Sequence, residues 1–426
     1  MNKTHPATAY FLAAVACTAF LTGCFFRPSP PTPEEQNEKI GQFISKGGYA
    51  SAHSYAIDSV RETWWHDGQT IEVSMLAPTE KGRYPLIVYL PGLGEPADGG
   101  WLWRETWAKA GYAVFSIQPV EIGEALKELA PMHGKPGDDE PEMSDEDRSR
   151  PSKAARNSEL HYLGHEYFSQ ASLKKRIDHL LWAYAQLKLK AKADQGLFAA
   201  ADLSRLIVAG YDIGAQTTAA MIGEKFDGVP PQTQDFKPLA AILFSPSVDM
   251  ALGSVATRYQ NISIPLLVVT GSEDDDPYGI SSPYVRTAIW EYAPRGNKYL
   301  LQLNKGSHQL LAGSHLSHRQ EPDPAQEPGE KAGTDRSGMP RFGGHFQGED
   351  RMGGGRAGGP PGGMGRGRPP HGGMQDSERD ARHTAAVFSI SGAFLDSVSK
   401  SDALAQSWLS GKANQWLKKP SNLKIK

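Results

Sequence analysis

Four short stretches of the chain carry side chains that could do chemistry, and their order lets them share one site. Gly210-Tyr211-Asp212-Ile213-Gly214-Ala215 lies between an apolar run and a segment of helical pattern. Its glycine spacing is that of the G-x-S-x-G nucleophile elbow, a sharp strand-to-helix turn that projects the central side chain. Here the central residue is Asp212, not serine. Leu90-Pro91-Gly92-Leu93-Gly94 is a glycine-rich turn after another apolar run, where the Leu93 amide could face a developing oxyanion, with the Ile213 amide as second donor. Gly306-Ser307-His308-Gln309 supplies an imidazole, and Gly271-Ser272-Glu273-Asp274 a carboxylate to orient it. Asp274 is the first candidate for that acid, with Glu273, Asp275 and Asp276 as alternatives.

Each of these residues also has a plainer reading. Asp212 is a favoured type for capping the helix that follows it. His308 could satisfy a loop hydrogen bond, and the run of acids after Ser272 could be a solvated turn. Ser245 follows a strand end but lacks an elbow, so it is a weak substitute for the nucleophile. His315-x-x-His318 has ligand spacing without a third ligand, so neither a metal nor another cofactor is expected.

The elements that must position these residues alternate. Thr70–Met75 and Pro85–Leu90 read as strands, the second a continuous apolar run suited to a buried parallel position. Leu102–Ala110 reads as a helix, Tyr112–Ile117 as a strand, and Leu173–Lys190 as a helix with Ile177, Leu180, Leu181, Tyr184 and Leu187 on one face. Strands follow at Leu206–Ala209, Ala240–Phe244, Pro265–Thr270 and Tyr299–Leu303, with a helix from Ile213. Ala385–Val398 and Asp402–Lys418 read as helices. This alternation predicts an α/β fold, a mostly parallel sheet flanked by helices. Residues 119–172 are polar and read as an excursion over the strand ends, a solvated insertion first and a cap over a pocket as the alternative. Trp101, Trp103 and Trp107 are expected to pack helix against sheet rather than line a pocket.

Composition sets the limits of the folded part. With 45 basic and 48 acidic side chains the net charge is -3, which gives no reason to expect a nucleic-acid partner. The chain has two cysteines, so a disulfide framework is not expected. Tyr10–Leu21 is an apolar run of signal-peptide length, too short to span a bilayer as a mature helix. It ends in Leu21-Thr22-Gly23-Cys24, which resembles a bacterial lipobox. That resemblance implies a signal over 1–23, acyl chains on Cys24 that hold the protein on a membrane, and a cell-envelope location. Phe25 after the cysteine favours the outer membrane over the inner. Loss of palmitate labelling in a Cys24→Ser chain is the check on this expectation. Residues 24–47 begin with a proline-rich stretch and read as an extended tether. Residues 319–382 form a low-complexity insertion expected to be disordered: 319–375 alone hold 17 of the 45 glycines. One domain remains, 48–318 completed by C-terminal helices over 383–426.

The motifs together resemble the α/β-hydrolase superfamily, in particular bacterial relatives of platelet-activating-factor acetylhydrolase and dienelactone hydrolase. Pro85-Leu-Ile-Val-Tyr-Leu-Pro-Gly-Leu-Gly94, the elbow with Ala215 and Thr217, and His308-Gln309 carry the likeness, as do Gly392-Ala-Phe-Leu-Asp396 and Trp408-Leu-Ser-Gly411 near the C-terminus. The resemblance implies an α/β-hydrolase fold, a nucleophile at Asp212, an acid at Asp274, a base at His308 and oxyanion amides from Leu93 and Ile213. It also implies hydrolysis of a small-molecule or lipid ester. Pro91 stands where the family has a histidine, a minor departure because the amides beyond it do the work.

The aspartate at the elbow is the larger departure. A carboxylate attacking an acyl ester would form a mixed anhydride while expelling an alkoxide, which is uphill. On this fold aspartate nucleophiles suit saturated carbon, as in haloalkane dehalogenases and epoxide hydrolases, where an ordinary ester forms and histidine activates water. Dehalogenases usually carry tryptophan after the nucleophile, where this chain has Ile213. Epoxide opening needs tyrosines from a cap, for which Tyr162 and Tyr167 are the candidates. Two further readings are that Asp212 and His308 activate water directly, or that the chain is a degenerate enzyme kept for binding.

Overall fold

The computed structural model describes residues 32–127, 129, 153–226, 235–314, 372–418 and 421–426. The expected signal, Cys24, His315, His318 and residues 319–371 of the low-complexity insertion lie outside the described residues.

The strands expected from apolar runs all form, and two more join them. β1 (Ile57–His66), β2 (Gln69–Pro78), β3 (Tyr84–Leu90), β4 (Ala113–Pro119), β5 (Ala201–Tyr211), β6 (Ala240–Phe244), β7 (Leu266–Glu273), β8 (Lys298–Ser307) and β9 (Ser421–Ile425) make one sheet. Their order is β1-β2-β4-β3-β5-β6-β7-β8-β9. β4, β3, β5, β6, β7 and β8 run parallel, while β1, β2 and β9 pair antiparallel with their neighbours. The fold is α/β, as the alternation predicts.

Side-chain alternation along the central strands divides the core in two. Leu86, Val88 and Leu90 face one side, where Leu173, Ile177 and Leu180 pack on them. Ile87 and Tyr89 face the other, against Trp103, Trp107, Ile390 and Phe394. The helices that matter below are α1 (Pro33–Ser45), α2 (Trp101–Lys109), α3 (Val120–Glu124), α4 (Lys153–Tyr167), α5 (Gln170–Lys192), α6 (Ile213–Met221), α7 (His308–Ala312) and α8 (Gly372–Ser399). Trp103 and Trp107 stack on Phe244 with ring centroids 5.6 and 6.1 Å apart, so both pack helix against sheet as expected.

Three boundaries depart from the sequence reading, each for a local reason. The extended tether gives way to α1, because Thr32-Pro33-Glu34-Glu35 is a complete capping box. The Thr32 hydroxyl accepts the Glu35 N–H at 3.2 Å, and the Thr32 N–H donates to the Glu35 carboxylate at 3.0 Å. Ile40 then buries against Ala381 and Ala385 of α8. α8 begins at Gly372, not after 382. Arg379 and Arg382 pair with Asp376 and Glu378 one turn before them, which supports a first stretch with little apolar surface. The C-terminal segment is not all helix either: Ser421–Ile425 adds β9 to the edge at β8. Among the described residues, no helix is long and apolar enough to cross a membrane.

Candidate active site

All four stretches singled out by chemistry converge at the carboxyl ends of the parallel strands, where open α/β sheets place their ligands. β5 ends at Tyr211 and α6 starts at Ile213, so Asp212 must turn the chain alone. It does so with φ 54° and ψ -115°, a left-handed conformation costly for a residue with a Cβ, about 1–3 kcal/mol. The flanking glycines make room for it. A Cβ on Gly214 would stand 2.0 Å from the Leu90 carbonyl oxygen, and one on Gly210 would stand 2.4 Å from that of Gly214. Gly214→Ala is therefore expected to lower thermal stability by about 1–3 kcal/mol; an unchanged melting temperature would show that β3 and α6 can part freely.

The Asp212 carboxylate is 1% exposed. Its Oδ2 accepts the Leu93 N–H at 3.2 Å. Its Oδ1 has no hydrogen-bond partner among the described residues and lies 3.7 Å from His308 Nε2, beyond hydrogen-bond range. Ile213 opens α6, a position whose N–H has no intrahelical partner. Burial pushes the Asp212 carboxyl up and the charge of Asp276 adds to the rise, while His308 and the Leu93 amide oppose it.

His308 directly follows β8 and starts α7. Its Nδ1–H donates to Asp274 Oδ1 at 2.8 Å, which selects Asp274 from the four acids. Asp276 instead ties its own loop, accepting the amides of Tyr278, Ile280 and Ser281. Asp274 is fully buried. Burial alone would raise its carboxyl, but the His308 hydrogen bond, the Arg286 charge and the Thr270 hydroxyl hold it below the usual range.

Several members of this site carry no motif. Ser245, with φ 45°, donates to both Asp274 oxygens at 2.9 Å, so its hydroxyl is held by that carboxylate. Arg286 lies 3.4 Å from Asp274 Oδ1 and donates to the carbonyls of Asp274 and Ser245. Below the elbow, Arg176 of α5 bonds Gln216 and Thr217 of α6. Tyr211 sets its hydroxyl on the His308 carbonyl at 3.1 Å, with its ring 5.0 Å from the imidazole.

Asp212 and His308 open onto a cavity of about 820 Å³, with Glu95, Trp101, Tyr278 and Ser314 in its wall. Trp101 does both: it packs against the core cluster of Trp103 and Trp107 and also lines this cavity. Tyr211 and Tyr278, not Tyr162, are the tyrosines of the cavity wall; Tyr162 is 67% exposed. Tyr167 sits with Ile122, Leu126 and Phe168 in an apolar cluster around Leu93, Ile213 and Tyr278. Most of α4 stays exposed, as a solvated excursion would, while the apolar residues of 119–172 pack beside the site, in line with the cap alternative. They do so because Ile122 and Phe168 are apolar residues placed directly over the Leu93 turn. A second cavity, about 470 Å³, lies by α1 and is lined by Lys46, Arg382 and Trp416, without carboxylate or imidazole.

Glu95 adds a carboxyl that the motifs do not mark. Oε2 accepts the Gly92 N–H at 2.8 Å and Oε1 the Ser314 hydroxyl at 2.9 Å. Glu95 is half-buried, with part of its surface on the cavity. Burial and the Asp212 charge raise it to about 7, against the Gly92 amide, the Ser314 hydroxyl and His308.

Among the described residues, the group of metal-ligating types is His66, Asp178 and His179, none of which lines the cavity. The chain matches no family model and no curated protein.

Proposed function

We propose that the chain is a hydrolase of the α/β-hydrolase fold in which Asp212 is the nucleophile toward saturated carbon bearing an oxygen leaving group, a small epoxide being the simplest such substrate. The fold reading rests on the chain order of elbow, acid and histidine, each at the carboxyl end of a parallel strand. One observation carries the chemistry: the Leu93 N–H donates to Asp212 Oδ2. The Leu93 amide thus holds one oxygen of the proposed nucleophile, and Oδ1, which has no partner among the described residues, is the one placed to attack.

Attack by Oδ1 forms an alkyl ester on Asp212 and breaks the carbon–oxygen bond. The departing alkoxide takes the proton of Glu95. Water then loses a proton to His308 Nε2, and the hydroxide adds to Asp212 Cγ. Negative charge develops on Oδ2, where the Leu93 amide already donates. Collapse returns the His308 proton to the departing diol, and the Asp212 carboxylic acid returns its proton to Glu95. Asp274 holds the imidazole in the tautomer this needs, with Nδ1–H toward the acid. The 3.7 Å gap between Nε2 and Oδ1 leaves His308 free to face water instead of Asp212.

Cleavage of a carboxylic ester at this site would need Asp212 Oδ2 to leave the Leu93 amide free for the substrate carbonyl. Single turnover in heavy-oxygen water separates the two chemistries. The alkyl-ester route places the label in the Asp212 carboxylate, read by mass spectrometry of its peptide. Product formed with an unlabelled Asp212 would overturn the covalent reading. An Asp212→Ser chain that gains short-ester hydrolysis would then favour the ester reading, and inertness of both proteins a binding role.

A further inference from the structure

β1 ends at His66, and α5 passes it with Asp178 and His179. One nitrogen of each imidazole and one carboxylate oxygen all lie within 4.8 Å of one another. His66 Nε2 and Asp178 Oδ2 are 3.0 Å apart. The His66 and His179 rings meet edge to face, with centroids 5.5 Å apart. Trp182, one turn along α5, stacks flat on His66 at 4.5 Å and fixes its plane. We propose that His66, Asp178 and His179 bind a divalent cation of the zinc class, which clasps the end of the β1–β2 hairpin to α5.

The donor set is the first support, since two imidazoles and a carboxylate suit zinc and its neighbours better than magnesium or calcium. Spacing is the second. Bonds of about 2.0–2.2 Å put tetrahedral ligand atoms roughly 3.3 Å apart. The His66–Asp178 pair is already close to that separation, and side-chain rotation closes the rest. The third is a side chain without a task. His179 is 5% exposed, and its Nδ1 makes no hydrogen bond among the described residues. An ordinary His66–Asp178 pair accounts for His66 but leaves this buried imidazole unexplained. Asp67 and Glu121 lie near enough to add negative charge, and Gln69 steadies Glu121 at 2.8 Å. On binding, the cation replaces the proton between His66 Nε2 and Asp178 Oδ2, and neutral His66 carries its proton on Nδ1 instead. None of this depends on the reaction at Asp212.

The test is titration of the chelator-treated full chain with zinc chloride by calorimetry, and with cobalt(II) by visible absorption. One equivalent should bind, raise the melting temperature by linkage and give cobalt the intense bands of a four-coordinate site. Asp178 is 66% exposed on its side chain, so Asp178→Asn keeps the fold and should weaken binding by about tenfold or more. His66→Gln should remove the cobalt bands. Absence of one-equivalent binding overturns the proposal. So does binding that survives both variants unchanged, since the ion would then sit on others of the 13 histidines.

Discussion

His308→Gln is expected to stop the cycle after its first bond is made, leaving the chain heavier by one substrate molecule. Attack by Asp212 Oδ1 draws on the carboxylate and the Leu93 amide, both of which the variant keeps. Hydrolysis of the resulting ester needs a base for water, and the described site offers no other imidazole in the cavity. Glutamine preserves much of the side-chain volume and can still meet Asp274, whose other partners, Ser245, Thr270 and Arg286, are untouched. Loss of a general base costs about 10²- to 10⁴-fold in rate, so turnover should fall by roughly that factor while the adduct accumulates. Intact-protein mass spectrometry after mixing with an epoxide reads it directly, and peptide mapping should place it on Asp212. Full turnover without an adduct would remove His308 from the second step and the covalent route with it.

What could be read beforehand follows from the range over which each signal acts. β3 and β5 to β8 are buried on both faces, and continuous apolar runs mark such strands. β1 is half-exposed along its length, with Asp58, Arg61 and Glu62 among its residues, so its sequence lacks that mark. β9, Ser421–Ile425, buries little besides Leu423 and forms because β8 offers it an edge, a tertiary cause with no local trace. α1 is different. Its capping box stood in the sequence and was outweighed by the neighbouring prolines, although proline at a helix's first position favours the helix.

The same distinction divides the site. Asp212, Leu93, His308 and Asp274 lie in glycine-marked turns after strands, because a sharp turn demands small neighbours and those leave a pattern. Ser245 and Arg286 hold Asp274 from segments 29 and 12 residues distant, and nothing in Pro283-Tyr284-Val285-Arg286 announces a buried guanidinium. Glu95 is the sharper case. Gly92-Leu93-Gly94-Glu95 reads as a polar end to a turn. Only the return of Ser314 beyond α7, and the wall built by Trp101 and Tyr278, turn it into an acid in a cavity.

That carboxyl is expected to set the alkaline limit of activity. Asp212 must be ionised to attack, and burial raises its carboxyl, so the rate should climb as pH rises through that ionisation. Glu95 must hold a proton to give the leaving oxygen, and it is raised to about 7. The rate of the first step should therefore fall above pH 7, by about tenfold for each further unit. Two carboxyls in one cavity then take opposite roles because their surroundings differ: Asp212 receives the Leu93 amide and faces His308, while Glu95 sits behind Gly92 and Ser314. Glu95→Gln keeps the size, and its amide oxygen can accept the Gly92 N–H while its NH2 donates to the Ser314 hydroxyl, but it has no proton of suitable acidity. It should lower the single-turnover rate by about 10²-fold or more and erase the alkaline limb, leaving the limb from Asp212 in place. The contrast with a structural role is the useful part, since a merely misplaced wall would lower the rate at every pH and keep the limb. It also separates leaving groups. A substrate losing halide needs no proton, so on a haloalkane the variant should match the parent chain, and a loss there equal to that on an epoxide would show that Glu95 shapes the cavity instead of supplying the proton.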